Sequence, residues 1–254
     1  MGRMTLISRR RFCVDSSLAL GALGILPPWA RRTGDGRLSA RPVSHPRDPL
    51  PAGDHVLDTF NGRDTVLVVP STLATDKPVP LMLALHGATQ SSEFTLRKMR
   101  DTAAAVGAIM IAPSSIDRTW DAIVGLGFTV DCSRIDGALK QVFQHFPIDP
   151  HRLAIAGFSD GASYSLSLGV MNGDLFSHII AYSPGFMIPG PRHGKPPVFI
   201  SHGRNDPILP FETCGQRLAN DLTHDGYQVE FVPFDDGHAV PPEIAERATH
   251  WFAG

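Results

Sequence analysis

Short runs of apolar, often β-branched residues recur along this chain: DTVLVVP (64–70), LMLALHG (81–87), AIMIAP (108–113), RLAIAGF (152–158), HIIAYS (178–183), PVFISHG (197–203) and VEFVPF (229–234). They are apolar at nearly every position rather than at every second one, the pattern of strands buried on both faces. Between them, residues 92–106, 131–145, 161–172, 211–225 and 241–252 carry helical spacing. Such alternation predicts an α/β fold, a mostly parallel central sheet with helices on both faces. Ligands of open α/β sheets bind outside the carboxyl ends of the strands. Polar residues that directly follow a strand are therefore the ones to weigh, and His86, Ser159, Asp206 and His238 meet that condition.

The 254 residues suffice for one large core, and a single domain over 55–254 is expected. Basic and acidic residues nearly balance, 23 against 25, so no nucleic acid or other polyanion is indicated as a partner. Residues 31–54 are rich in Pro, Arg and Gly without apolar periodicity and read as a flexible linker. Upstream, Arg9, Arg10 and Arg11 precede a glycine-interrupted apolar run from Ser17 to Trp29, the order of parts in an export leader (1–30). The stretch Ser8 to Phe12 resembles the twin-arginine signal, which implies export of the folded protein by that machinery to the periplasm or beyond. The run is short for a membrane span. Ala30 and Ala40 are the candidate cleavage positions, while an uncleaved anchor and a cytoplasmic location stay open as alternatives. Cys13 falls in the leader. Cys132 and Cys214 stand in no metal-ligand spacing and remain open between a disulfide and two buried thiols.

The stretch GFSDG (157–161) offers two nucleophiles, Ser159 and Asp160. A nucleophile presented on a sharp strand-to-helix turn needs small residues two positions before and after it. Gly157 and Gly161 are centred on Ser159, whereas Asp160 would be flanked by Phe158 and Ala162. Asp160 is then the residue whose backbone N–H can stabilise an oxyanion, with its carboxylate favoured at the start of the following helix.

A serine hydroxyl needs a base, and the base an orienting acid. HGRNDPILP supplies Asp206 after one strand, and DDGHAVP supplies His238 after the next. The chain order serine, aspartate, histidine fits this architecture. Asp235 and Asp236 lie on the histidine's own loop and are weaker candidates for the acid, and His202 is expected to pack beneath the site and orient the Asp206 loop. The second oxyanion donor is expected after an earlier strand, in LHGATQSS, at the N–H of Ala88 or Thr89, with Gln90 holding the loop. Thr89, Trp120, Phe186 and Met187 are candidate pocket residues, ordinary core packing being an equal reading for the last three. No cofactor and no metal site are expected.

LHGATQSS, IDPHRLAIAGFSDGAS, SHGRNDPILP and DDGHAVP together resemble the α/β-hydrolase fold, in particular its phospholipase/carboxylesterase and dienelactone-hydrolase-like esterases, with features of polyhydroxybutyrate depolymerase and feruloyl esterase relatives. The likeness covers about residues 55–254. It implies Ser159 as nucleophile, His238 as base and Asp206 as acid. Asp160 stands where many such esterases carry Gln, Met or Ala, so their substrate preferences do not transfer. The expected activity is hydrolysis of small or bulky carboxylic esters in an open cleft with no lid domain. A peptidase or acyltransferase with the same triad, or a non-catalytic binding protein of this fold, are the alternatives. The sequence is silent on oligomeric state.

Overall fold

In the computed structural model the apolar runs assemble into one eight-stranded sheet of order β1-β2-β4-β3-β5-β6-β7-β8. The strands are β1 (Gly53–Phe60), β2 (Arg63–Val69), β3 (Val79–Leu85), β4 (Ile109–Pro113), β5 (Ile148–Phe158), β6 (His178–Tyr182), β7 (Val198–Gly203) and β8 (Val229–Phe234). β2 pairs antiparallel with β1 and with β4, and every other pairing is parallel. The structure describes residues 34–44, 46, 49–73 and 77–254. The expected leader, with Cys13 and Ala30, lies outside the described residues.

Strand β1 was not among the apolar runs because it is a half-exposed edge. It joins β2 through Asn61-Gly62, both at positive φ (50° and 72°), the backbone that a two-residue hairpin turn requires.

The parallel register fixes the layers. Leu81, Leu83 and Leu85 of β3 pack on the same side as α2 (Val130–His145), α3 (Asp160–Met171) and α4 (Arg217–His224). Met82 and Ala84 face the opposite side, with α1 (Ser92–Ala105) and α5 (Pro242–Ala253). The helix expected over 211–225 is instead a π-helical turn, Glu212–Gln216, running into α4. Gly215 in that turn lies against His202, where a Cβ would stand 2.4 Å from the ring Nδ1. Among the described residues no helix is long and apolar enough to cross a membrane.

The linker expectation fails over residues 36–41. Residues 36–41 form a strap bound to the domain. Leu38 and Ala40 are buried in the core. The Leu38 N–H donates to Asn172 Oδ1 at 2.9 Å, Asn172 Nδ2 donates to the Gly36 carbonyl at 2.7 Å, and Asp136 accepts the N–H groups of Ser39 and Ala40. Arg37 and Arg41 both reach Asp174. Composition misled here because the partners that hold the strap are polar side chains far away in the sequence. Ala40, a candidate cleavage position, is thus part of the folded domain.

Candidate active site

Strand β5 ends at Phe158 and α3 begins at Asp160, so Ser159 makes the whole turn alone, at φ 57° and ψ −120°. Its neighbours must be small: a Cβ on Gly157 would lie 2.2 Å from the Gly161 carbonyl oxygen, and one on Gly161 would lie 2.4 Å from the carbonyl oxygens of both Leu85 and His86. The Ser159 N–H donates to Tyr182 O at 2.9 Å, and its own carbonyl starts α3. Thr89 after β3 (φ 62°) and Ser183 after β6 (φ 51°) also adopt positive φ, so strained non-glycine backbone gathers at this end of the sheet. Such strain costs about 1–3 kcal/mol per residue and persists where the surroundings impose it.

The structure brings Ser159, His238 and Asp206 into one hydrogen-bonded chain. Ser159 Oγ lies 2.9 Å from His238 Nε2, and His238 Nδ1 lies 2.6 Å from Asp206 Oδ2. Burial opposes the Asp206 charge, but hydrogen bonds from His202, His238 and the N–H groups of Leu209 and Ile208 outweigh it and hold the carboxyl well below the usual carboxylate range. An ionised carboxylate only accepts, so the His238 proton sits on Nδ1 and Nε2 is free to accept from the serine hydroxyl. The Phe158 ring packs against His238 at 4.7 Å between centroids.

The two loops carrying acid and base are stitched by backbone. Asn205 N–H donates to Asp236 O at 3.1 Å and Arg204 N–H to Phe234 O at 2.8 Å. Gly203 passes so close that a Cβ would meet the Gly237 oxygen at 2.2 Å. Asp235 and Asp236 are exposed on this loop, apart from His238 Nδ1. His202 lies under Asp206, its Nε2 2.8 Å from Leu209 O and 3.3 Å from Asp206 Oδ2.

After β3, Gln90 Oε1 accepts the Gly87 N–H at 2.9 Å, which curls the loop back. His86 is buried, and burial lowers its pKa to about 4. The Ser115 N–H donates to its Nε2, so Nδ1 carries the proton and donates to Gly87 O. The Thr89 N–H is taken by Arg118 O at 2.5 Å, whereas no protein group accepts the N–H of Ala88 or Asp160 among the described residues. Of the two N–H groups this loop offers toward Ser159, that of Ala88 is the one left free.

The pocket candidates divide. Phe186 is exposed and Thr89 is exposed, while Met187 is half-buried against the core. Trp120 does not line a cleft. It is fully buried, its Nε1 donates to His86 O at 2.9 Å, and its ring lies between His86 and Tyr164. An indole whose only polar group finds a backbone acceptor is stable in the core, and that bond draws it inward. Cys132 and Cys214 are buried and not disulfide-bonded, and burial raises the Cys132 thiol to about 12. No metal-binding cluster occurs among the described residues.

No sequence signal marks Thr119, whose hydroxyl donates to Asp160 Oδ2 at 2.7 Å. It sits in an irregular loop without periodicity or motif.

Residues 129–253 match the phospholipase/carboxylesterase family. The chain is 31% identical over 218 residues to a probable feruloyl esterase C of Aspergillus oryzae, covering 72% of this chain and 78% of that one. Two solved structures share the fold. One is a substrate-bound fluorophosphonate-binding serine hydrolase of Staphylococcus aureus (TM-score 0.61, 17% identity, 81% of this chain and 100% of that one). The other is an acetyl xylan esterase of Aspergillus awamori (TM-score 0.60, 16% identity, 79% and 99%). The strand order, the turn at Ser159 and the similarity along most of the described chain have one explanation: this is a carboxylic ester hydrolase of the family that includes feruloyl esterase C, an α/β-hydrolase serine esterase.

Proposed function

We propose that the protein hydrolyses carboxylic esters through an acyl-enzyme on Ser159, with His238 as general base and Asp206 as the orienting acid. The observation that carries this reading is the unbroken bond chain from Ser159 Oγ through His238 to Asp206. His238 Nε2 takes the hydroxyl proton as Ser159 Oγ bonds to the ester carbonyl carbon. The carbonyl oxygen becomes an oxyanion facing the free N–H groups of Ala88 and Asp160. Collapse of this intermediate breaks the ester C–O bond, and His238 returns the proton to the departing alcohol. Water then attacks the acyl carbon with His238 again as base, releasing the acid and restoring Ser159. The steps involve no cofactor or metal.

Between β6 and β7 residues 183–197 form neither helix nor strand, which supports an open cleft without a lid. Exposed Phe186 and Ile208 stand on loops at the catalytic end of the sheet and suit an apolar part of a small or bulky substrate. The feruloyl esterase relative makes feruloyl esters the first natural class to assay. The basic and apolar leader of the sequence supports an exported enzyme.

The test uses protein beginning at Gly34, the p-nitrophenyl esters of acetate, butyrate, octanoate and palmitate, methyl ferulate, and a fluorophosphonate probe. Hydrolysis together with probe adduct on Ser159 is expected, and Ser159→Ala should lower kcat by about 10³-fold or more and abolish labelling. Folded protein that hydrolyses none of these esters and takes no adduct at Ser159 overturns the reading.

A further inference from the structure

The two proposed oxyanion donors come from separate segments, Ala88 from the loop after β3 and Asp160 from the start of α3, and a useful pocket must hold them at a fixed separation. Three consecutive residues of a third segment touch both sides. Arg118 O accepts the Thr89 N–H, next to Ala88. Thr119 Oγ1 donates to Asp160 Oδ2 at 2.7 Å. Trp120 Nε1 donates to His86 O at 2.9 Å, at the end of β3.

The segment is itself clamped from behind. Buried Asp131 accepts the N–H of Ile116 through one oxygen and that of Asp121 through the other. Buried Asp121 accepts the hydroxyls of Tyr164, on α3, and of Thr129, together with the N–H groups of Ala122, Thr129 and Asp131. Asp131 stands at the start of α2, so residues 116–121 are tied to α2, α3 and the β3 loop together.

We propose that residues 116–121 act as a staple that sets the separation of the two oxyanion donors, with the Thr119 hydroxyl to Asp160 carboxylate bond as its working link. Thr119 is then a positioning residue, acting through Asp160. The same bond orients the Asp160 charge. By covalent geometry that carboxylate lies within about 5 Å of its own N–H, close enough to oppose a developing oxyanion. The Thr119 hydroxyl turns one carboxylate oxygen toward residue 119 and gives it a donor.

This inference rests on the serine esterase reading, and its test separates the two. Thr119→Val keeps the side-chain volume and removes the hydroxyl; Asp160→Ala removes the acceptor. Each is expected to lower kcat about tenfold or more while KM stays within about twofold, because donor placement matters most in the transition state. Inhibition by butylboronic acid, which forms a tetrahedral adduct on serine, should weaken in parallel with kcat. The double variant should be no slower than Asp160→Ala, and Thr119→Ser should recover most of the lost rate. Thermal melting of each variant identifies loss of fold, and Asp160→Ala carries the test if Thr119→Val melts early: an Asp160→Ala protein that folds with kcat within about twofold of wild type overturns the staple. It is also overturned if Thr119→Val folds with kcat within about twofold of wild type, if the two substitutions change KM alone, or if their effects multiply independently. Wild-type protein that is not acylated at Ser159 overturns the esterase reading instead.

Discussion

Replacing Gly161 by alanine isolates the nucleophile turn from the stability of the domain. The new Cβ would stand 2.4 Å from two carbonyl oxygens of β3's end, whereas ordinary contact begins near 3.4 Å. Both obstacles are backbone held in a parallel sheet, so the start of α3 must retreat by about 1 Å. That retreat carries the Asp160 N–H away from the Ala88 side of the pocket and shifts Ser159 relative to His238. A misplacement of that size costs roughly 10²-fold in rate, equivalent to about 2.7 kcal/mol of barrier. The fold suffers less. Overpacking costs about 1–3 kcal/mol, and replacing a helical glycine with alanine returns about 1 kcal/mol. The net change corresponds to a fall in Tm of less than about 8 °C. The assay is kcat on p-nitrophenyl butyrate beside a thermal melt. A variant with kcat within about threefold of wild type would refute the reasoning, because it would mean that the contact between α3 and β3 does not set the site.

Other expectations follow from the rest of the fold. Compared with protein beginning at Gly34, protein beginning at Arg41 loses buried Leu38 and the bonds to Asn172 and should be less stable by about 2–4 kcal/mol, read by chemical denaturation. Burial and the neighbouring Asp121 raise Asp131 to about 7. Its folded pKa lies above the unfolded value, so its contribution to stability declines as pH rises from about 4 to 7. Accordingly Asp131→Asn should gain stability relative to wild type between pH 5 and pH 8, on the order of 1–4 kcal/mol, and a difference that is flat or of opposite sign contradicts the assignment. On the open-cleft reading, rate against p-nitrophenyl butyrate concentration should pass smoothly through the solubility limit, and a jump there would show interfacial activation.

Much of the site could be read from residue order alone. Ser159, Asp206 and His238 each follow an apolar run, and a parallel sheet places all such positions at one end. The symmetry of Gly157 and Gly161 about Ser159 reflects a steric demand that leaves a mark in sequence. The strap left none. Leu38 is a single leucine amid Arg, Pro and Gly, and its fit depends on Asn172, a residue it meets only in the folded chain. Thr119 was equally silent, and Trp120 stood only as a residue of the pocket or of the core, since their partners are a carboxylate at the start of α3 and a backbone carbonyl after β3. Strand β1 escaped notice because an edge strand needs few apolar residues, although Asn61-Gly62 is a strong hairpin signal.

The stitching of the Asp206 loop to the His238 loop bears on when the molecule becomes reactive during its synthesis. On the proposed triad, the serine turn is complete once β3, β5 and α3 have formed, but His238 arrives only on the turn after β8, and α5 must still pack behind it. A nascent or prematurely terminated chain therefore carries a serine with no partner to remove its proton. On the proposed mechanism, hydrolytic competence waits on the segment from β8 through α5.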